Sequence, residues 1–105
     1  MFNTGASLLD AVVLAVVARE NLGTYGYKIT QDVRSILDVS ESSLYPVLRR
    51  LQTNGLLETY DQEFNGRNRR YYKVTDEGKK ELESYRKDWI AYTQKINGIL
   101  LGGQQ

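Results

Sequence analysis

Four basic side chains crowd a short stretch beside a predicted turn, at Arg67, Arg69, Arg70 and Lys73. The turn is Asn65-Gly66, a pair that tolerates positive φ and is the strongest short-range signal for a β-hairpin. Cations of this kind bind phosphate oxygens, so a basic hairpin is suited to a nucleic-acid backbone. A solvated charge run is the alternative. We favour nucleic acid because the charge coincides with a hairpin tip and not with a helix face.

A short helix is predicted just upstream of this hairpin. Ser40 is its expected N-cap, and Gly55 its expected left-handed C-terminal residue. Pro46 lies within the first two turns and removes one backbone donor, so we expect that end of the helix to be tight or kinked.

The two faces of this helix differ in chemistry. Leu44, Leu48 and Leu51 recur at helical spacing and should face the core. The opposite face carries hydrogen-bonding or cationic side chains: Ser42, Tyr45, Arg49 and Gln52. Such side chains can contact base edges and phosphates. An ordinary amphipathic surface helix would look the same, and the basic hairpin downstream decides for nucleic acid.

The combination predicts a winged helix-turn-helix, in which the helix enters the major groove of DNA and the hairpin lies over the neighbouring backbone. The residues expected at bases and nearby phosphates are Ser42, Ser43, Tyr45 and Arg49. The residues expected at the phosphate backbone are Lys28, Arg50, Arg67, Arg69 and Arg70, with Asn65 also on the DNA surface.

The rest of the chain supplies the elements that would position these residues. We expect a first helix over Ser7 to Asn21 and a second over Tyr25 to Leu37, capped by Thr24. Hairpin strands are expected over Leu56 to Phe64 and Arg69 to Val74, and a last helix from the cap Thr75 to about Leu101. The predicted fold is mainly α with a small β-hairpin. It forms a single domain over 1–105, divided into a winged helix-turn-helix at 6–74 and a C-terminal dimerisation helix at 75–101.

The first helix is apolar on nearly all sides between Leu8 and Ala18. A helix of this kind must be covered all round, and one small domain covers only part of it. The remainder predicts a partner, most simply a second copy of the chain. The β-branched valines would also suit a buried strand, but length and the alanines favour a helix.

The last helix carries a heptad seam whose members are three or four residues apart: Leu82, Tyr85, Trp89, Tyr92, Ile96 and Ile99. Such a seam packs against another long helix. We expect one edge to lie on the chain's own first helix and the other on the partner of a homodimer. Near the two-fold axis, Trp89 and its mate would either pack together or leave a flat slot for an aromatic ligand, and both alternatives remain open.

Composition excludes several functions. The 105 residues carry a formal net charge of +1 and contain neither cysteine nor histidine. Thiol and imidazole catalysis and the usual zinc sites are therefore excluded, and we expect no enzyme, no cofactor and no metal. The apolar run from Ala11 to Ala18 is too short to span a bilayer. It also lacks the basic lead-in of a signal peptide, so we expect a soluble, cytoplasmic protein.

Four blocks of the sequence resemble the PadR family of bacterial transcriptional regulators: Tyr25-Gly26-Tyr27, Ser43 to Leu51, Asn54 to Leu57 and Arg69 to Gly78. The resemblance covers nearly the whole chain. The single C-terminal helix is similar to the small subfamily that includes the multidrug-responsive lactococcal regulators.

The resemblance implies a homodimeric repressor of operator DNA that a small aromatic or hydrophobic ligand releases. In such relatives a tryptophan on the C-terminal helix faces its dimer mate across a pore, and Trp89 matches its position. The resemblance places Tyr92 beside it, and further lining residues would be Phe2, Ser7, Asp10, Ala11 and Leu14. The alternative is a winged-helix module that binds an acidic protein without sequence-specific DNA binding.

Overall fold

Helices and a small sheet alternate along residues 6–102, which the computed structural model describes. In chain order the elements are α1 (Ala6–Ala18), β1 (Thr24–Tyr25), α2 (Gly26–Arg34), α3 (Glu41–Thr53), β2 (Leu57–Phe64), β3 (Arg67–Val74) and α4 (Asp76–Leu100). This mainly helical architecture, with a small antiparallel sheet and a long final helix, confirms the predicted winged helix-turn-helix fold. No helix in the described part of the chain is long and apolar enough to cross a membrane.

One core joins all the layers of the fold. Its buried side chains come from α1, α2, α3, the base of the hairpin and the start of α4: Val13, Leu14, Val16, Val17, Ile29, Val33, Leu44, Val47, Leu48, Leu51, Leu57, Val74 and Leu82. Burying each such side chain contributes about 1.5–3 kcal/mol to folding before conformational entropy is subtracted. The core fixes α3 against the hairpin base, and so fixes the predicted recognition helix.

The hairpin β2–β3 is built around the predicted turn. Asn65 and Gly66 have φ of 53° and 79°, the positive values that this pair was expected to adopt. Pairing runs without a break from Leu57 opposite Val74 to Phe64 opposite Arg67. The prediction that β3 begins at Arg69 was therefore two residues short, because a two-residue turn lets the strands pair right up to it.

The prediction for the segment before α2 was wrong. Thr24 does not cap a helix; it pairs with Tyr72, and Tyr25 pairs with Tyr71, so β1 adds a third strand in the order β1-β3-β2. The helix begins only at Gly26, after Tyr25, whose side chain makes no capping bond. A strand of two residues is too short to show alternation, which is why the pattern did not reveal it.

Serine hydroxyls organise the first turn of α3 as predicted. The Ser40 hydroxyl accepts a hydrogen bond from the Ser43 amide at 3.3 Å, and the same amide lies 3.1 Å from the Ser40 carbonyl. The helix α3 continues through Pro46. Gly55 follows the helix with φ of 78°, which confirms its left-handed conformation.

The last helix extends far beyond the core. The Thr75 hydroxyl caps α4 by accepting from the Gly78 amide at 2.9 Å, and donates to the Gly55 carbonyl at 2.7 Å. The 25 residues of α4 reach about 37 Å at 1.5 Å per residue. Only Gly78 and Leu82 are buried. Leu82 was predicted at a dimer interface, but it lies in the chain's own core because α1 covers this first part of the seam.

Candidate nucleic-acid interface

The exposed face of α3 carries Ser42, Tyr45 and Arg49, as the spacing predicted. The Tyr45 ring lies over the start of α2, where a Cβ on Gly26 would come within 3.3 Å of its Cε1 atom. Partial burial, and then the nearby Glu41 carboxylate, raise the pKa of Tyr45 above its usual value. The phenol therefore stays protonated at neutral pH and can donate a hydrogen bond to a phosphate or a base.

The base of the wing, β2–β3, adjoins this face of α3. Gln52 lies on the exposed side of the helix, and its Nε2 is 3.4 Å from the Thr59 hydroxyl in β2. From Thr59 the strand continues outward to the turn at Asn65, about 20 Å at 3.3 Å per residue. The wing therefore projects from the same region that presents the exposed face of α3.

The register divides the wing arginines between two faces of the sheet. Opposed residues of an antiparallel pair share a face, and side chains alternate along each strand. Because Val74 is buried, Arg70 lies on the core-side face opposite Asp61, whereas Arg67 and Arg69 lie on the outer face. The wing cations thus do not form the single cluster that the sequence suggested.

Two wing arginines have contacts that the sequence analysis did not foresee. The Arg70 Nε lies 3.7 Å from an Asp61 carboxylate oxygen, so its charge is partly balanced. The Arg69 guanidinium is stacked between the rings of Tyr25 and Phe64, with its Cζ 3.7 Å from each ring centroid. Arg69 and Arg70 are therefore engaged within the fold, and their contact with phosphate stays a prediction.

Two further candidate cations are engaged by acids. Lys28 Nζ lies 2.9 Å from an Asp32 oxygen and 3.6 Å from a Glu20 oxygen. The hydrogen bond to Asp32 is the main cause of the raised pKa of Lys28. Arg50 forms a hydrogen-bonded salt bridge with Asp10, which raises the pKa of Arg50. Intramolecular carboxylates thus already pair with Lys28 and Arg50, and a contact of either cation with phosphate stays a prediction.

Ser43 also has an intramolecular role. Its hydroxyl lies 2.5 Å from the Ser40 hydroxyl, inside the capping cluster of α3. Its side chain therefore stabilises the start of the helix. The Ser42 hydroxyl lies 3.3 Å from the same Ser40 oxygen. Contact of Ser42 or Ser43 with bases stays a prediction.

The residues that remain form what we call the α3–wing surface: Ser42, Tyr45, Arg49, Asn65 and Arg67, all exposed. Within residues 6–102, neither Arg49 nor Arg67 takes part in an ion pair. Each can therefore accept a phosphate without first giving up a carboxylate partner. Chemically, the surface offers two unpaired guanidinium groups and three hydrogen-bonding side chains.

A second candidate site is a groove of about 310 Å³ between α1 and α4. It is lined mainly by apolar side chains: Leu8, Ala11, Val12, Ala15, Leu82, Tyr85, Arg86 and Trp89. Of these, Leu8, Val12, Ala15 and Arg86 were not predicted at any site, and Leu82 and Tyr85 were predicted only at the dimer interface. The three- and four-residue spacing from Ala11 along α1 would have revealed Leu8 and Ala15.

The predicted lining of this groove is only partly reproduced. Ala11 and Trp89 line it, and the Tyr92 ring lies 6.1 Å from the Trp89 ring. The prediction that Leu14 lines the groove is wrong, because its side chain is completely buried in the core. Asp10 is held by Arg50. Two predicted lining groups, Phe2 and the Ser7 side chain, lie outside the described part of the chain.

Known proteins share both this sequence and this fold. The family model described as the transcriptional regulator PadR-like family matches residues 13–84. Transcriptional regulator Rv3488 of Mycobacterium tuberculosis is 35% identical over 81 residues, which cover 76% of this chain and 72% of that protein. An uncharacterized protein X of Lysinibacillus sphaericus is 28% identical over 99 residues, covering 90% of this chain and 89% of that protein.

Crystal structures of two relatives superpose along most of their length. The structure of smu.1704 from Streptococcus mutans UA159 has a TM-score of 0.86 at 39% identity, and the match covers 99% of this chain and 96% of that chain. A PadR-like transcriptional regulator from Bacillus cereus has a TM-score of 0.80 at 31% identity, covering 92% and 94%. The chain therefore belongs to the PadR-like family of transcriptional regulators, which confirms the predicted family and confirms a regulatory rather than an enzymatic function.

Proposed function

We propose that this regulator is a homodimeric repressor whose subunits each bind operator DNA through the α3–wing surface. The main observation behind the proposal is which basic side chains form ion pairs within the chain and which do not. Arg49 and Arg67 are exposed and, within residues 6–102, free of ion pairs, whereas acids hold Lys28, Arg50 and Arg70. Unpaired guanidinium groups gain most from phosphate, because no existing salt bridge must break.

The surface suggests a division of roles on DNA. Ser42, Tyr45 and Arg49 would enter the major groove and contact base edges and nearby phosphates. Arg67 at the wing tip, with Asn65 beside it, would contact the adjacent backbone. Two such surfaces related by a dimer axis would bind half-sites of a pseudo-palindrome about one helical turn apart. As a regulator of DNA, the protein would act in the cytoplasm.

The exposed length of α4 supports a second copy of this chain as the partner. Beyond the core, its seam leaves Trp89 43% exposed and Ile99 81% exposed. An isolated helix this long, with apolar side chains in water, would be stabilised by packing against an identical seam. The proposed interface consists of the seam residues after Leu82: Tyr85, Trp89, Tyr92, Ile96 and Ile99.

The groove between α1 and α4 suggests an effector site. Its volume of about 310 Å³ lies at the lower end for small-molecule pockets, and its lining suits an aromatic or hydrophobic compound. Trp89 would serve there either by stacking on a ligand or by packing the dimer, and fluorescence distinguishes the two. It is the only tryptophan. Stacking is supported if a planar aromatic compound quenches Trp89 fluorescence, if Ala11→Leu weakens the quenching, and if Ala91→Leu leaves it unchanged.

Ligand and DNA would be coupled through the start of α4. The Thr75 hydroxyl donates to the Gly55 carbonyl at the base of the wing, and the Thr75 amide donates to the Leu56 carbonyl at 3.1 Å. A change in α4 would therefore move the wing with it. The effector can release DNA only if it binds one arrangement better than the other, with a typical coupling of about 1–3 kcal/mol.

DNA binding is tested by fluorescence anisotropy with a duplex taken from the region upstream of the protein's own gene. We expect Arg49→Ala to weaken binding several-fold. Lys87→Ala is the matched control, because Lys87 is exposed on α4, opposite the seam, and should leave binding unchanged. Failure of the wild-type protein to bind any duplex would favour the alternative, a winged-helix module that binds an acidic protein.

A further inference from the structure

A single guanidinium connects the tip of the wing to the body of the domain. The Arg69 Cζ lies 3.7 Å from the ring centroid of Tyr25, 3.7 Å from that of Phe64 and 5.4 Å from that of Tyr71. Phe64 is the last residue of β2 before the turn, and Tyr25 belongs to β1, directly before α2. Arg69 therefore bridges two segments that are 39 positions apart in the chain.

The contact continues along the outer face of the sheet. The Tyr25 and Tyr71 rings meet edge to face at 5.8 Å, and the Tyr71 and Tyr60 rings stack at 5.4 Å with an interplanar angle of 13°. The Tyr60 hydroxyl donates to the Leu22 carbonyl in the loop that leads to β1. The guanidinium is thus one end of an aromatic row that is anchored in the body of the domain.

The wing tip needs such support. β1 pairs only with residues 71 and 72, so the part of the hairpin beyond them is two-stranded. A two-stranded ribbon is marginally stable alone in water. Arg69 and Phe64 lie in this outer part, whereas Tyr25 lies in the three-stranded part. Their stacking connects the two-stranded tip of the hairpin to the three-stranded part of the sheet.

The same geometry makes Arg69 a poor phosphate ligand. Two aromatic rings lie against its guanidinium, and its Nε is buried without a hydrogen-bond partner in the described part of the chain. Arg67, two residues earlier on the same face of the sheet, is exposed. The two arginines therefore have different surroundings although the sequence presents them as equivalent.

We propose that Arg69 is a positioning residue, which clamps the wing tip to β1 so that Arg67 and Asn65 are held in place for DNA. This inference rests on the proposed function of the α3–wing surface. A clamped tip binds DNA without first losing conformational freedom, whereas a loose tip must be ordered on binding. Arginine suits the role because its planar group stacks between two rings, a geometry that the lysine ammonium does not reproduce.

Salt-dependent DNA binding separates a clamp from a phosphate contact. With the upstream duplex, we expect Arg67→Ala to reduce the slope of log affinity against log salt by about one. Arg69→Lys retains the charge but loses the stack, so we expect wild-type slope with affinity about three- to tenfold weaker, from the loss of two ring contacts. Phe64→Ala should behave like Arg69→Lys, and combining the two should add little, because each breaks the same contact.

Amide hydrogen exchange tests the clamp without DNA. In Arg69→Lys and Phe64→Ala we expect faster exchange over residues 61–70 and unchanged exchange in α3, which also shows that the variants fold. Unchanged exchange at the wing tip would overturn the proposal. A second pair of results would also overturn the proposal: Arg69→Lys binds DNA with wild-type affinity, and Arg69→Ala lowers the slope of log affinity against log salt by about one. Arg69 would then be an ordinary phosphate contact. A wild-type protein without salt-dependent binding would overturn the proposed function instead, and exchange would still decide on the clamp.

Discussion

Arg50 of α3 forms a salt bridge with Asp10 of α1, across 40 positions of sequence. The Asp10 side chain is 14% exposed and the Arg50 side chain is 43% exposed. The pair ties the proposed recognition helix to the helix that lines the groove. Burial, and then the Asp10 charge, raise the pKa of the Tyr85 hydroxyl on α4, so a third helix lies close to the same pair.

Replacing Asp10 by Asn should lower the free energy of unfolding by about 1 kcal/mol, because a partly buried, charge-assisted hydrogen bond is lost. Glu83→Gln is the control. It removes an ion pair with Arg86 whose two side chains are both 59% exposed, and such pairs contribute little. Urea unfolding at a fixed protein concentration measures both. Equal effects of the two substitutions would show that Asp10–Arg50 is no more than a surface contact.

The junction between the wing and α4 should not tolerate a side chain at Gly78. A Cβ there would lie 2.2 Å from the Leu56 carbonyl oxygen and 2.7 Å from Val74 Cγ1, and the backbone atom has little room to move. We expect Gly78→Ala to cost about 1–3 kcal/mol of stability. Gly98→Ala in the same helix should instead stabilise by up to about 1 kcal/mol, since no atom lies within 4 Å and alanine favours helix. Thermal unfolding compares the two, and similar melting temperatures would contradict the close packing.

Tyr85 should make stability sensitive to alkaline pH. Its pKa is raised above the model-compound value of 10.0 by burial and by Asp10. The folded state therefore holds the proton more tightly than the unfolded state. The stability from this group is fully present below pH 10 and is lost as pH rises through the folded pKa. We expect Tyr85→Phe to lose less stability than wild type as the pH rises from about 10 to 11 in urea unfolding. If the unfolding free energies of wild type and Tyr85→Phe fall in parallel with pH, the pKa of Tyr85 is the same in the folded and unfolded states.

Local signals predicted much of the fold. The turn at Asn65-Gly66 and the caps Ser40 and Thr75 were read correctly, because each depends on residues within a few positions of itself. The short strand at Thr24–Tyr25 was missed because its pairing partners, Tyr71 and Tyr72, lie far along the chain. A segment of two residues carries no sequence pattern from which its pairing strand can be predicted.

The intramolecular partners of individual cations could not be predicted for the same physical reason. A sequence shows that Arg50 and Arg69 are basic and close to a predicted surface. It does not show that Asp10 will hold Arg50, or that Tyr25 will stack on Arg69, since these partners come from distant segments. In sequence, Arg49 and Arg67 look the same as Arg50 and Arg69, and only the folded structure shows that their surroundings differ.

A charge on the α4 seam should disrupt the proposed dimer. Ile96→Asp would place a carboxylate between apolar seams, and desolvating it there is costly. We expect sedimentation equilibrium to give a dimer for wild type at micromolar concentration and monomers or aggregates for this variant. Gln94→Asp adds the same group on the opposite side of the helix and should remain dimeric. A monomeric wild-type protein would contradict an intermolecular seam.

The central claim is that α3 and the wing tip together contact DNA. Titrating the isotope-labelled protein with a short duplex at low salt, and following backbone amide shifts, tests it most directly, because non-specific binding uses the same phosphate contacts. We predict the largest shifts at Ser42, Tyr45 and Arg49 and at residues 65–67, with little change along residues 90–100. Shifts concentrated on α4, with α3 and the wing tip unchanged, would contradict the account.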